Sequence, residues 1–306
     1  MVIIHNNQIV GIAPFVEKQN KKGLLKWTSL EFMGMGDYRN VIINRQEGNE
    51  QSIIKKIFTV ISNMQNKWDL INLTHIKHDS TLANYLLKTQ YNKHFKYMKE
   101  CPQIKLSQHK KFEEFQRKYP VAKRTRKRLN KLQRETQYNF KVEKGITEAT
   151  LDEFMALYTK ENNHLVKDKN RRNRKNIYAN KFMVEFLRNI LKNNEKVRAF
   201  TIRDSTGKLL SYKLAYQYNN ILHSWNGAYD PNYLKYSIGK ITYYEMLSHF
   251  FTDSGKEVAT LDLGAGRYPW KFEWTSYFIF NYKLQVPLNK KGTIVQKLYQ
   301  IHHCIN

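Results

Sequence analysis

The sequence predicts an α/β (α+β) chain with a mixed central sheet flanked by helices. Three features carry that expectation. Residues 197–228 hold three β-rich segments joined by short turns, helical apolar spacing precedes and follows them, and residues 258–263 return as an apolar strand. At 306 residues there is room for two domains. A hydrophobic fraction of 41% and an aromatic fraction of 13% belong to a chain with folded cores.

Element by element, Ile9–Phe15 reads as a strand closed by Pro14, and Val41–Ile43 as a short β-branched run. Ser52 to Asn66 places Ile53, Ile54, Ile57, Phe58, Ile61 and Met64 at spacings of three and four, an amphipathic helix. Asp69–Leu73 reads as a buried strand, and Asp79 or Ser80 caps a helix through Leu87. Cys101–Pro102 marks a boundary, because proline disfavours helix at the residue before it. Helical pieces broken at Pro120 follow over Lys110–Glu135. Phe140–Glu143 is a strand, with helices expected from Thr147 to Asn162 and over Tyr178–Leu191. Val197–Arg203, Leu209–Tyr218 and Ile221–Ala228 form an antiparallel meander turning at Asp204–Gly207 and Asn219–Asn220. A helix at about Gly239–Phe251 turns Ile241, Tyr244, Leu247 and Phe251 inward. Val258–Leu263 and Tyr277–Val286 complete the β structure. A meander leading through a helix to a parallel strand splays the sheet, a natural place for a ligand.

Two cysteines, Cys101 and Cys304, imply neither a disulfide framework nor a thiolate metal cage, and fit a reducing cytoplasm. Nothing approaches the roughly 18 apolar residues of a membrane span, and Asn6, Asn7 and Gln8 interrupt the place of a signal peptide's apolar centre. A soluble cytoplasmic protein is expected, with peripheral contact to the inner membrane face as a further expectation. The net charge is +26. It is concentrated at Lys110–Glu135, with eleven Lys/Arg against three acids, and at Lys167–Lys181, with seven against one. Such a field draws polyanions: nucleic acid, an anionic membrane surface or a phosphorylated cofactor.

Two segments bear on chemistry. Lys235-Tyr236-Ser237-Ile238-Gly239-Lys240 turns into a helix whose first N–H groups and positive dipole end can receive an anion. A plain helix cap accounts for the same residues when they are taken alone. Asp262-Leu-Gly-Ala-Gly266-Arg-Tyr-Pro-Trp270-Lys271 sets a carboxylate at a strand end, two glycines behind it, and an aromatic ring beside an ammonium group. An Asx turn and a solvated lysine would explain this run equally well in isolation. No Cys–His or Ser–His set is apparent; His249 and the His302–His303 pair read as core or surface histidines.

Together the segments resemble the GNAT acyltransferases of the cellulose-biosynthesis (CelD-like) group, relatives of the FemAB-type peptidyltransferases. The basic Arg124-Thr-Arg-Lys-Arg128-Leu129 stretch, Trp225-Asn-Gly227-Ala-Tyr229-Asp230-Pro231, the Tyr236–Gly239 loop and the Asp262, Gly266, Trp270, Lys271 set all match that pattern. Ile238 stands where the group has Pro, and Trp270 where it has Tyr. Val10-Gly-Ile-Ala-Pro14 and Gly36-Asp37-Tyr38 match more loosely. The resemblance implies a GNAT fold in tandem halves, the first one truncated. Residues 1–100 would be a partial amino-terminal GNAT-like domain, 101–139 a basic helical connector and 140–306 the acyltransferase domain.

It further implies direct attack of an amine on an acyl-CoA thioester, with acetyl-CoA or another acyl-CoA as co-substrate and no metal. Tyr236, Ser237, Ile238, Gly239 and Lys240 would bind the CoA pyrophosphate. Lys271 would stabilise the oxyanion, and Asp262 would accept the amine's proton or orient Lys271. Asp37, Tyr38, Trp225, Tyr229, Gly266 and Trp270 would line the substrate side, with core packing an equal reading for Trp225. The acceptor would be a small-molecule or glycan-precursor amine, such as an amino sugar of polysaccharide biosynthesis. Two alternatives stand beside this acetyltransferase reading. One is FemAB-like aminoacyl transfer from charged tRNA gripped by the basic helices. The other is a catalytically degenerate module that binds polyanions or a membrane surface.

Overall fold

The computed structural model describes residues 1–46, 49–171 and 174–305, with side chains to residue 299. In chain order its strands and helices are β1 (Val2–His5), β2 (Gln8–Ile12), β3 (Phe15–Lys22), β4 (Leu25–Phe32), β5 (Ile42–Ile43), α1 (Glu50–Asn63), β6 (Leu70–Lys77), α2 (Thr81–Leu87), β7 (Phe95–Lys105), α3 (Phe112–Lys118), α4 (Pro120–Thr136), β8 (Asn139–Lys144), α5 (Glu148–Lys167), α6 (Lys181–Leu191), β9 (Val197–Arg203), β10 (Leu209–Tyr218), β11 (Ile221–Tyr229), α7 (Ile238–His249), β12 (Thr260–Asp262), α8 (Pro269–Phe272), β13 (Phe278–Pro287) and α9 (Lys290–Ile305). They fall into two compact units. Unit 1 is Met1–Cys101, Ala265–Arg267 and Phe278–Asn306; unit 2 is Pro102–Gly264 and Tyr268–Tyr277. The mixed α/β class is as expected, and each unit is built on a mixed sheet.

Unit 1 orders its main sheet β3-β4-β6-β13-β7, with β1-β2-β5 as a separate small sheet. The β3–β4 hairpin is antiparallel, β4 runs parallel to β6, and β6 is antiparallel to β13. One face carries Leu30, Phe32, Ile71, Leu73 and Leu284, buried beneath α1 and α2 through Ile54, Ile57, Phe58, Leu82 and Leu86. The helix forms there because its apolar residues recur every three or four positions and Asn49 caps it, accepting from the N–H groups of Gln51 and Ser52. On the opposite face Val295 of α9 packs with Trp27 and Leu70.

Unit 2 orders its sheet β7-β12-β11-β10-β9-β8, the β7 residues being its last few. The strands β8 to β11 form the expected antiparallel meander. The helices α5 and α6 cover one face, with Leu151, Phe154, Tyr158 and Leu187 on Val197, Tyr212 and Leu214. The helices α3, α4 and α7 cover the other, through Phe115, Val121, Tyr244 and Leu247 on Phe200, Ala215 and Leu222.

This division differs from the expected one in two places. The stretch expected as a connector is part of unit 2, because α4 buries Val121, Ala122 and Leu132 in its core. Residues 278–306, expected with the acyltransferase domain, group with unit 1. Their strand supplies the neighbour of β6, with Leu284 set opposite Leu73 and Val286 opposite Ile71. The β3–β4 hairpin also departs from the sequence expectation, while the boundary expected at Cys101–Pro102 is where unit 1 gives way to unit 2.

Candidate active site

The site lies in unit 2, where two parallel strands part. The pairing of β11 with β12 sets Ile221 opposite Thr260, Leu222 opposite Leu261 and His223 opposite Asp262. There β12 ends, while β11 runs on to Tyr229. This is the splay predicted from the order of the elements.

Next to the far end of β11 begins α7. Ser237 adopts a left-handed conformation (φ 54°, ψ 49°), which turns the chain sharply into the helix. A side chain at Gly239 would start 3.5 Å from the Tyr229 ring, so the strand end and the helix start are in direct proximity. The first N–H groups of a helix have no intrahelical acceptor and carry its positive dipole end. Here they are framed by cations. Arg128 Nη1 of α4 donates to Ser237 Oγ at 2.6 Å, and Lys240 Nζ donates to both Glu273 oxygens at 2.7 Å. Arg124, one turn before Arg128, reaches Glu273 at 3.6 Å. Lys235 pairs with Glu135 at 3.3 Å, and the same carboxylate accepts from Tyr236 Oη. Two of the five predicted cofactor residues put their side chains into the core. Ile238 is fully buried with Leu132, Ile202 and Leu210, and Tyr236 packs in the same cluster. The Ile238 side chain and the Tyr236 ring belong to the core, which leaves for a ligand their backbone groups, the kind expected to receive an anion.

At the end of β12, Asp262 is 1% exposed. Its Oδ1 accepts the Gly264 N–H at 2.8 Å, and its Oδ2 accepts from Gln103 Nε2 at 2.7 Å. Lys271 of α8 is also buried and donates from Nζ to the Gly264 carbonyl at 2.8 Å. Asp262 and Lys271 therefore grip the two polar groups of one peptide residue, and Gly264 meets them at φ +73°, a conformation glycine adopts freely. The Lys271 ammonium stands 5.3 Å from the Tyr268 ring centre and 6.0 Å from that of Trp270. Trp270 lies 5.0 Å from Tyr243 of α7, and Lys213 Nζ stands over both rings, at 4.7 Å from Tyr243 and 5.8 Å from Trp270. Lys213 reaches that place by crossing its opposite residue, Gly227, where any side chain would clash with its stem and with the Tyr212 carbonyl.

The remaining predicted residues are placed as follows. Tyr229 stands beside the start of α7, its hydroxyl held above the ordinary tyrosine range by burial and then by the nearby Glu161 carboxylate. Glu161 is buried and pairs with Arg174 at 2.8 Å, yet burial dominates and pushes its carboxyl above the usual range. Trp225 packs against the core beneath α5 and α6, the packing role weighed for it. Asp230 is an anchor: Lys160 donates to both its oxygens at 2.8 Å, and it caps the turn before α7 through the Asn232 N–H. Asp37, Tyr38 and Gly266 fall in unit 1, where Asn281 Nδ2 donates to the Asp37 carbonyl and the Gly266 N–H to the Glu100 carbonyl.

Sequence reasoning missed Gln103, Lys213, His223 and Glu273. His223 Nδ1 lies 3.9 Å from Asp262 Oδ2. Gln103 and Asp262 are 159 residues apart, so spacing carries no signal for that contact. The small residue opposite Lys213 was a usable one. Among the described residues no group of three or more His, Cys, Asp or Glu could hold a metal ion, and no helix is long and apolar enough to cross a membrane.

The parting of β11 from β12, the cation-framed start of α7 and the grip on Gly264 share one stretch of chain with a known family. Residues 121–272 match the acetyltransferase (GNAT) domain. The matched stretch runs from α4 to α8 and takes in this site except Gln103 and Glu273. The fold extends beyond it. FemX matches at 12% identity with a TM-score of 0.57, over 98% of this chain and 89% of its own. L-PGS from Bacillus licheniformis matches at 13% identity and a TM-score of 0.53, over 93% and 86%. A conserved protein of unknown function from Bacteroides thetaiotaomicron VPI-5482 matches at 10% identity and 0.55, over 90% and 84%. No curated protein matches the chain in sequence.

Proposed function

We propose that this chain is an acyl-CoA-dependent N-acyltransferase, with acetyl-CoA as the first donor to test and an amino sugar of a cell-surface glycan precursor as the acceptor. The observation that carries the reading is the pairing of two devices at one strand divergence. One is an anion-receptive helix start framed by Arg128 and Lys240; the other is a buried lysine fixed beside the end of β12. The diphosphate of CoA suits the first, through the backbone N–H groups of Ile238 and Gly239 and the charge of Arg128. The donor supplies an activated thioester carbonyl.

The chain's own residues then do three things. Lys271, oriented by its bond to Gly264, is assigned to stabilise the oxygen on which charge develops, a kind of contact worth about 2.7–4 kcal/mol. Asp262 has both oxygens engaged at 2.7 and 2.8 Å, so of its two expected roles we assign it the positioning one, holding Gly264 and through it Lys271. His223, 3.9 Å from that carboxylate, is assigned to take the proton from the attacking amine. The amine forms its bond to the carbonyl carbon, the carbon–sulfur bond breaks, and the thiolate leaves with the CoA.

Thermal melting with and without acetyl-CoA or CoA tests the first half; absence of any shift at saturating doses sinks it. Lys271→Ala should lose about 100-fold or more in turnover while binding CoA normally. Equal turnover removes Lys271 from the mechanism. A second reading, aminoacyl transfer from charged tRNA, is favoured by the exposed cations Lys123, Arg126 and Lys127 along α4. It requires tRNA binding that falls steeply with salt and turnover without CoA.

A further inference from the structure

The face of unit 2 that α5 and α6 cover carries a second apolar surface, turned outward. The helix α6 is fastened along its inner side and one flank. Leu187 and Leu191 are buried against the sheet, with Met183 and Val184 packed partly beside them. On the flank toward α5, Arg188 Nη1 donates to Glu148 at 3.1 Å, its Nη2 donates to Asp152, and Lys192 donates to Glu148 at 2.7 Å. A helix held in this way ordinarily turns polar residues to solvent. Here Phe182, Phe186 and Ile190 stand in their place, 74%, 42% and 43% exposed. A spacing of four sets them one above another on the helix. At about 1.5 Å of rise per residue the stripe is about 12 Å long.

Cations gather where the stripe begins. Lys181 opens α6 next to Phe182, and the chain that leads into the helix from the end of α5 exposes Lys167, Lys169, Arg171 and Lys175. That chain is tied down at two points. Asn176 Nδ2 donates to Thr159 Oγ1 of α5 at 3.0 Å, and Asn180 caps α6 by accepting from the Met183 N–H at 3.2 Å. Its one acid, Asp168, pairs with His164 Nδ1 at 2.6 Å. The helix has one acid as well, Glu185, against Lys181 and Arg188.

We propose that this face docks on an anionic lipid surface, with Phe182, Phe186 and Ile190 entering the headgroup layer and Lys175 and Lys181 meeting lipid phosphates. Exposed rings and an aliphatic side chain in one row, with lysines at its end, suit a helix that lies in a bilayer interface. Lysines near such a surface add attraction, and their methylene stems lie along apolar groups while the ammonium stays among the headgroups. Charge selects this occupant over a second copy of the chain. Each copy carries +26 and would bring the same lysines to the contact, so two copies repel where an anionic bilayer attracts. None of these residues belongs to the candidate active site, and the docking surface does not rest on the acyl-transfer reading.

The test is co-sedimentation of the full chain with vesicles of phosphatidylcholine mixed with phosphatidylglycerol, and with vesicles of phosphatidylcholine alone. Wild type should bind the mixed vesicles and release them as salt is raised. The cations of α4 also favour anionic vesicles, so the variants decide. Phe182→Ser combined with Phe186→Ser should weaken binding to the mixed vesicles about tenfold or more, and Lys175→Glu combined with Lys181→Glu should do the same. Leu24→Ser, at a fully exposed apolar residue of unit 1, should bind as wild type does. All of these positions are solvent-exposed, so melting temperatures should match wild type. If a double variant melts early, Phe182→Ser alone decides, at the most exposed of the three. Wild-type affinity in either pair of substitutions, equal binding of wild type to both kinds of vesicle, or no binding at all overturns the proposal. So does a dimer in sedimentation velocity that Phe182→Ser with Phe186→Ser dissolves, which would assign the face to a second copy.

Discussion

The two units are built from similar parts but assembled differently. In unit 2 the strands β8, β9, β10 and β11 pair with their neighbours in sequence, and a single helix carries the chain to β12. In unit 1 the strand between β6 and β7 is β13, which begins 201 residues after β6 ends. One unit rests on local contacts and the other on a distant segment that must return. Contacts far apart in sequence carry a larger loop-closure cost and are made later.

The most drastic way to break this comparison is to delete residues 278–306. Unit 1 then loses Leu284, Val286 and Val295 from its two apolar faces, and amide exchange across β3, β4 and β6 should lose its protection. The amides of β9 to β11 should keep theirs. Equal loss in both would show that the two fold as one cooperative body. A single methyl should do part of the same damage. At Gly292 a Cβ would lie 1.9 Å from the Asp69 carbonyl oxygen, so Gly292→Ala should cost about 3 kcal/mol or more in urea unfolding.

Asp69 is the clasp to which that segment fastens. It accepts from the Thr28 N–H and Asn289 Nδ2, both at 2.8 Å, and pairs with Lys291 at 3.0 Å. Burial alone would raise its carboxyl, but the Thr28 N–H, Asn289 and Lys291 outweigh it and hold it below the ordinary aspartate value of 3.8. A lowered acid stabilises the fold above its unfolded value, and the contribution disappears as pH falls through the folded one. Asp69→Ala should therefore cost about 2 kcal/mol at pH 7, with the gap to wild type closing in acid. The smallest expected effect has the opposite sign and lies in unit 2. Glu245 is raised by burial, only partly countered by the Tyr138 hydroxyl. Its folded form holds a proton to higher pH, so its stabilising contribution falls as pH rises from the ordinary glutamate range through the raised value. Glu245→Gln should melt slightly higher than wild type at pH 7 and equally at low pH; a lower melting temperature at pH 7 would contradict this.

Legibility in the sequence follows the same division. The meander was readable because Val197–Arg203, Leu209–Tyr218 and Ile221–Tyr229 are runs rich in aliphatic and aromatic residues, and turn residues separate them. The β3–β4 hairpin was not, because β3 is an edge strand whose Val16–Gln19 are all solvent-exposed and polar apart from Val16. Pro102 suggested a boundary because proline disfavours helix at the residue before it, and the two units divide there, within a strand rather than between elements. In the site, Asp262 and Lys271 were legible since they act within ten residues of each other on one loop. Gln103, His223 and Lys213 were not, because each approaches from a strand that only folding brings near. The charge of α4 was visible at once; what it lacked was a destination, which Arg128 on Ser237 and Arg124 on Glu273 provide for two of its cations.

The late arrival of β13 has a consequence during synthesis. At about 5–20 residues per second, a ribosome delivers β3, β4, β6 and β7 many seconds before residues 278–287 leave the exit tunnel. For that interval β6 and β7 each present an unfilled edge to the cell, while β8 to β12 emerge one after another. The half of the molecule that is translated first is therefore completed last, and it is the half in which a chaperone would find work.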